Sequence, residues 1–280
     1  MKPEYEQTGY LHENFKIFHI RDQKSIDIPF HYHDFHKILI CLDGNLSYCV
    51  EGRTYQLCKN DIVFIPAGEV HRPIIAGDHI YDRIIVYISK DYLNSYQGED
   101  YHLGYCLKQA HEKQSHVLRI PALGSGKIHG IMKELEESFE ADEYANEFYR
   151  NILFLEFMIH LNRAAIHNDI LYLTDSSSNE KVVEIIDYLN QHLTEEISID
   201  SLASRFFISR YYLMHTFKEE TGYTIGNYLS TKRLLLAKEL ITSGMNITEA
   251  CFTCGFHNYS TFSRAYKKAF GVSPGNTSLL

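Results

Sequence analysis

The chain has 280 residues, of which 45% are apolar and 22% charged, and a formal net charge of −9. This length supports one or two packed domains, and the lack of any run of eighteen apolar residues excludes a helical membrane span. The opening Met1-Lys-Pro-Glu-Tyr-Glu6 lacks the apolar core of a signal peptide, and the six cysteines are scattered without a framework, so a reducing cytoplasmic setting is expected.

The first hundred residues read as β. Lys37–Leu42, Leu46–Val50, Asp61–Ile65 and Arg83–Ile88 are rich in β-branched and aromatic residues. Turn signals separate them at Asp43-Gly44-Asn45, Glu51-Gly52, Lys59-Asn60-Asp61 and Pro66-Ala-Gly68. Short strands at this spacing predict a barrel or jelly roll. Two helices follow. Lys127–Glu140 is amphipathic, whereas Asn146–Ala165 is apolar nearly all round, through Phe148, Ile152, Phe154, Phe157, Met158 and Leu161. A helix this apolar needs cover on more than one side. Either it is buried within its own chain, or part of it (Phe154, Phe157, Met158 and Leu161 being the candidates) makes a homodimer contact.

The polar stretch Asp175-Ser-Ser-Ser-Asn179 reads as a linker. It divides the chain into expected domains 1–174 and 180–280. From Glu180 onward the sequence is helical and repeats itself. Ile199–Phe206, then Phe207-Ile208, then Ser209–Lys218 form one unit. Ile247–Gly255, then Phe256-His257, then Asn258–Lys267 form the other. Each is a short helix, a tight turn and a second helix capped by Ser209 or Asn258. Leu213/Phe217 and Phe262/Tyr266 stand four apart and give each second helix one buried face. Two helix-turn-helix units in tandem predict a reader of double-stranded DNA. Between them, Thr224–Thr242 reads as a helix ended by Gly244, close to 30 Å long at about 1.5 Å per residue. That length approaches one turn of B-DNA, about 34 Å. Residues 180–280 carry ten basic and ten acidic side chains, so any DNA-facing charge must be segregated by face. Cys251 and Cys254 are expected to be small core residues rather than half of a zinc site.

The stretch Gly255-Phe-His-Asn-Tyr-Ser-Thr-Phe-Ser-Arg-Ala-Tyr-Lys-Lys-Ala-Phe-Gly-Val-Ser-Pro274 resembles the signature of AraC/XylS-type transcription regulators, and the likeness extends from about Ile199. Those regulators commonly carry a Tyr-Arg pair where this chain has Thr277-Ser278, so a short last helix is expected. His31-Tyr-His33-Asp-Phe-His36-Lys37, Gly44 and Pro66-Ala-Gly-Glu-Val-His71 resemble the two motifs of a cupin sensor domain. The resemblance implies an α+β multidomain chain: a cupin-like effector-binding and dimerising β-barrel with two helices, followed by an all-α DNA-binding domain. It implies double-stranded DNA, a small-molecule effector such as a sugar, and RNA polymerase as partners.

Carried over residue by residue, the resemblance assigns base contacts to Tyr211, Met214, His215, Ser260, Thr261 and Arg264. Phosphate contacts fall to Lys218, Lys232, Arg233 and Lys267, with a solvated face the alternative for Lys232 and Arg233. His31, His33 and His71 would hydrogen-bond the effector, with a three-histidine metal site or the mere capping of strand ends as the alternatives. No cofactor is expected: metal-binding cupins have a Glu where this chain has Lys37, and a cation there opposes a divalent ion. No phosphate-binding glycine loop or nucleophile motif points to an enzyme. A metal-dependent cupin enzyme with a helical appendage is the rival reading, but it needs the metal and leaves the helical repeat without a role.

Overall fold

A computed structural model describes residues 11, 15–22, 28–43, 46–75, 80–120, 126–175 and 178–279. The expected start of the first domain, Gly44 of the cupin motif and the middle of the expected linker, 176–177, lie outside these residues. The chain divides into two compact units between positions 177 and 178.

Among the described residues the first unit contains nine strands: β1 Phe15–Asp22, β2 His36–Asp43, β3 Leu46–Val50, β4 Arg53–Leu57, β5 Ile62–Ile65, β6 His71–Ile75, β7 Tyr81–Ile88, β8 Val117–Arg119 and β9 Leu171–Tyr172. A six-stranded sheet runs β1-β7-β2-β5-β8-β9 and a three-stranded sheet runs β4-β3-β6, with antiparallel pairing throughout. The larger sheet is buried on both faces. Leu39, Cys41, Val63, Ile65 and Ile85 point to the small sheet and pack with Leu46, Tyr48, Tyr55 and Leu57. Their sequence neighbours Ile38, Ile40, Ile62, Phe64, Ile84 and Val86 pack under helices instead. Two-sided burial explains why these strands read as nearly unbroken apolar runs.

The covering helices are α1 Lys90–Asn94, α2 Tyr105–Glu112, α3 Lys127–Glu137 and α4 Asn146–Ile166. Here the sequence reading of α4 needs correcting. Phe154, Phe157, Met158 and Leu161 are each fully buried by their own chain, against Ile131, Met132 and Leu135 of α3 and the large sheet. The exposed apolar residues of α4 are Phe148, Tyr149, Ile152, Ile159 and Ile166. Composition had shown that the helix is apolar on several faces, but not which face the sheet claims.

The second unit is helical: α5 Glu180–Gln191, α6 Ile199–Arg205, α7 Arg210–Thr221, α8 Ile225–Thr242, α9 Ile247–Thr253 and α10 Tyr259–Phe270, then a 3-10 segment Pro274–Leu279. Side-chain oxygens cap six N-termini: Asn179, Ser198, Ser209, Thr224, Asn246 and Asn258 each accept from free N–H groups of the first turn, which places these starts firmly. Left-handed Gly222 and Gly271 close α7 and α10. Leu213, Phe217, Phe262 and Tyr266 are buried as the spacing predicts, and Cys251 and Cys254 pack with Leu234, Ala237 and Phe262. The Tyr266 hydroxyl bonds Thr277 Oγ1 at 2.9 Å, anchoring the short last segment.

The two turns match one residue differently from the sequence alignment. Ile208 N–H donates to Ala203 O at 3.0 Å, and Phe256 N–H donates to Cys251 O at 3.1 Å. Ile208 therefore corresponds to Phe256, and Phe207 corresponds to Gly255. Both precede these residues in the left-handed region, at φ 55° and 89°. Glycine takes this conformation freely, whereas a side chain costs about 1 kcal/mol or more, and Phe207 is also 94% exposed. Phe207→Gly should raise the urea midpoint by the equivalent of about 0.5–1 kcal/mol, since relief of strain outweighs the added freedom of the unfolded chain. A lowered midpoint would mean that the Phe207 ring stabilises the turn.

Candidate DNA interface and ligand site

Helices α7 and α10 each bury one face and expose another. On α7, Tyr211 is 75% exposed and stacks on His215 with centroids 5.8 Å apart. Met214 is exposed beside them. His215 Nδ1 stands 3.7 Å from Glu219, and Arg210 pairs with Asp200 of α6 at 3.1 Å. On α10, Ser260, Thr261, Arg264 and Lys267 are all exposed. Arg264 Nε donates to Ser260 O at 3.3 Å, which leans the guanidinium toward the N-terminal turn, the part of a reading helix that meets base edges. Lys218 is exposed at the far end of α7. Lys232 is half-buried, its ammonium 5.2 Å from the Tyr228 ring centre.

Arg233 is not where the phosphate reading put it. Its Nε donates to Leu193 O at 2.8 Å and its Nη2 to Glu195 O at 2.6 Å. A methyl group at Gly255 would come within 3.0 Å of both Arg233 Nε and Thr194 O. Arg233 thus ties the segment after α5 to α8 and to the turn after α9. Two of its five N–H groups are thus held by backbone carbonyls of its own unit, an internal tie. No sequence signal separates it from its neighbour Lys232, because the carbonyls it serves lie about forty residues away.

In the first unit, His31 and His71 face each other across an isolated antiparallel bridge, with N–H to O distances of 3.1 and 2.9 Å. His33, two residues along, turns to the same side. Ring centroids lie 4.3 Å apart for His31–His71, 5.2 Å for His31–His33 and 4.9 Å for His33–His71. All three residues are at most 5% exposed. The structure therefore brings the three predicted histidines together. It also supplies neighbours that the sequence reading missed: Tyr48, whose ring stacks parallel to His71 at 6.2 Å, and Tyr87, which lies 5.5 Å from His33. Period-two alternation along β3 and β7 is the signal that marks such inward-facing polar residues.

The imidazoles do not present donors, as the effector reading expected. His31 Nδ1 lies 2.8 Å from Pro29 O and His71 Nδ1 lies 2.9 Å from Glu69 O. A carbonyl only accepts, so each Nδ1 carries the proton and each Nε2 keeps its lone pair. Burial and the charge of Lys37 lower the pKa of His31 to about 4 and hold His71 well below the ordinary value, so both rings are neutral at neutral pH. Lys37 is itself buried and donates to the Tyr48 hydroxyl at 3.2 Å. Burial, then the charge of Arg83, lowers its pKa to about 7. Among the described residues, no carboxylate pairs with it.

Comparisons with known proteins agree with this two-part layout. A helix-turn-helix domain model matches residues 202–278, and a model described as an AraC-like ligand binding domain matches residues 17–148. The chain is 25% identical over 251 residues to the transcriptional activator RhaS of Escherichia coli strain SMS-3-5, covering 89% of this chain and 86% of RhaS. It is 26% identical over 253 residues to RhaS of Salmonella schwarzengrund, covering 88% and 86%. Among solved structures, ToxT from Vibrio cholerae aligns over 95% of this chain and 97% of its own, at 15% identity and a TM-score of 0.39.

The unpaired charge of Lys37 sets a pH dependence. Its folded pKa, about 7, lies below the ordinary 10.5, so between these values the unfolded chain holds the extra proton and stability rises with pH. The cost is full below pH 7 and gone above 10.5, and is on the order of 3–5 kcal/mol at most. Lys37→Met should therefore raise the melting temperature at pH 7 and flatten the rise from pH 7 to 10. A lower melting temperature at pH 7 would show that the ammonium has a stabilising partner. Arg233→Gln should lower stability by about 1–2 kcal/mol, because it removes two charge-assisted bonds to the carbonyls of Leu193 and Glu195. In contrast to the phosphate reading, it should leave the salt slope of DNA affinity unchanged.

Proposed function

The chain belongs to the AraC family of transcription regulators, and on that premise we propose that α7 and α10 read successive major grooves on one side of a duplex. The observation that supports this most is the pairing of two capped helices with exposed polar faces on one eighteen-residue helix, α8. Tyr211, Met214 and His215 form the first reading face, and Ser260, Thr261 and Arg264 the second. Lys218 and Lys267 take phosphate, with Lys232 beside them. Residues up to 174 take the effector, and 180–280 take DNA. His31, His33 and His71 are the effector contacts, as acceptors rather than donors. RNA polymerase is the further partner, the setting is the cytoplasm, and the chain has no catalytic role.

The regulator works as a homodimer through α4. Phe148, Ile152, Ile159 and Ile166 are 43–65% exposed and stand four, seven and seven residues apart, close to the 3.5-residue repeat that lets two helices interlock. A second copy about a two-fold axis would cover this stripe with its own. Ile152→Glu should give monomers in sedimentation while keeping the wild-type melting profile, since Ile152 lies outside the core. A wild-type chain that stays monomeric at high concentration would contradict the assembly.

Base reading is tested by Arg264→Ala on a panel of operator variants. Loss of a bidentate guanine contact should cost about 1–3 kcal/mol at one base pair and relax specificity there. A uniform loss across all variants would leave Arg264 only a phosphate.

A further inference from the structure

We propose that the two readers divide the work of binding: the α10 unit holds the duplex through phosphate charge, and the α7 unit reads it through uncharged side chains that take thymine methyl groups. This deepens the DNA-reading proposal by naming what each half of the operator must offer, and it rests on that reading.

The chain carries its own control, because the repeat allows one helix to be set against the other. α7 and α10 are both twelve residues long. Each is opened by a capping side chain, Ser209 or Asn258, and closed by a left-handed glycine, Gly222 or Gly271. They therefore align residue for residue. The buried positions match in kind: Leu213 falls on Phe262, and Phe217 falls on Tyr266. The outer positions do not. Tyr211 and Met214 stand where the second helix has Ser260 and Ser263. His215 stands where it has Arg264, and Glu219 where it has Lys268. Lys218 alone meets its like, in Lys267.

Charge divides accordingly. Between Ile199 and Thr221, the basic Arg205, Arg210 and Lys218 are balanced by Asp200, Glu219 and Glu220. Between Ile247 and Phe270, Arg264, Lys267 and Lys268 are offset by Glu249 alone. Pairing widens the difference. Arg210 is held by Asp200 at 3.1 Å, Arg205 lies 4.3 Å from the Tyr188 ring centre, and Glu219 stands 3.7 Å from His215. Arg264, Lys267 and Lys268 are exposed, and among the described residues no ion pair engages them. Phosphate affinity grows with the number of side-chain cations that displace counterions, so the second unit supplies most of it. The first reader carries a carboxylate that phosphate repels, and must gain its energy otherwise. It has apolar surface to offer: Tyr211 is 75% exposed and Met214 46%. In the major groove the apolar group that base edges present is the thymine methyl. The serines at the matching places of α10 have no such surface.

The test uses the full chain and two DNA probes. The first is a labelled pool of short random-sequence duplexes, titrated over a range of KCl concentrations, which reads the sequence-independent charge. Lys267→Gln combined with Lys268→Gln should flatten the slope of log affinity against log salt by about two units, and Lys218→Gln by about one. Glu219→Lys should steepen it by about one. These side chains are exposed, so the variants keep the fold. The second probe is a duplex selected from a random library by the wild-type chain, with thymine replaced by deoxyuridine in one half at a time. Each lost methyl contact should weaken binding about fourfold, in one half only. Met214→Ala should abolish that difference, and Arg264→Ala should leave it. A Lys218→Gln change in slope as large as that of the Lys267 and Lys268 double variant would overturn the division. So would an unchanged slope in Glu219→Lys, or deuterium-free methyl loss that affects both halves equally or neither. Failure to select any duplex would instead remove the DNA reading itself, and this division with it, so the two failures are distinguishable.

Discussion

In the proposed mode of DNA reading, the length of α8 sets the spacing of the two reading helices. Both reading helices pack on it. Tyr228, near its start, meets Phe217 of α7 edge-on at 5.6 Å and donates to Asn190 Oδ1 of α5 at 3.0 Å. Leu234 and Ala237, further along, share a core with Phe262 and Tyr266 of α10. Arg233 lies between these two contacts and ties the segment after α5 to the middle of the helix. The eighteen residues span about 27 Å, so the readers are held at opposite ends of a strut near the length of one helical turn of the duplex. On the proposed reading, exposed residues can vary on this scaffold and change which bases are read without changing the spacing.

A different constraint governs the first unit. Its large sheet is buried on both faces, which leaves little apolar surface for anything else to do. Polar side chains inside it are therefore conspicuous, among them three buried imidazoles, Lys37 with no carboxylate partner among the described residues, and tyrosine hydroxyls. Each has a cost in a buried setting. Phe207 in the second unit is a strained counterpart on the surface, a left-handed aromatic where the other repeat uses Gly255. Local and global preferences disagree most often at positions that serve function.

Much of this was legible in the sequence. Runs of β-branched and aromatic residues between turn residues marked β2, β3, β5 and β7. Capping residues and the i, i+4 apolar pairs placed α7 and α10, and the His-x-His and Pro-x-Gly-x-x-His spacing brought His31, His33 and His71 to one place. What stayed hidden depended on partners distant in the chain. The buried face of α4 depends on which side meets the sheet, so the sequence left Met158 open between the core and a dimer contact, and it is core. The role of Arg233 depends on carbonyls at Leu193 and Glu195. The register of the two turns depends on backbone hydrogen bonds from Ile208 and Phe256, which the side-chain pattern does not encode. The polarity of the histidine cluster depends on which ring nitrogen a carbonyl claims, and no residue pattern carries that information.

The central claim is that one rigid helix presents two readers to one face of DNA. Selection of bound duplexes from a random library tests it most directly, because it assumes no operator. The account predicts two short informative segments whose centres lie about 10 base pairs apart, one helical turn. It also predicts a steep loss of affinity when five base pairs are inserted between them, with no recovery at ten, because the strut cannot lengthen. A single contiguous segment, or affinity indifferent to the spacing, would contradict it.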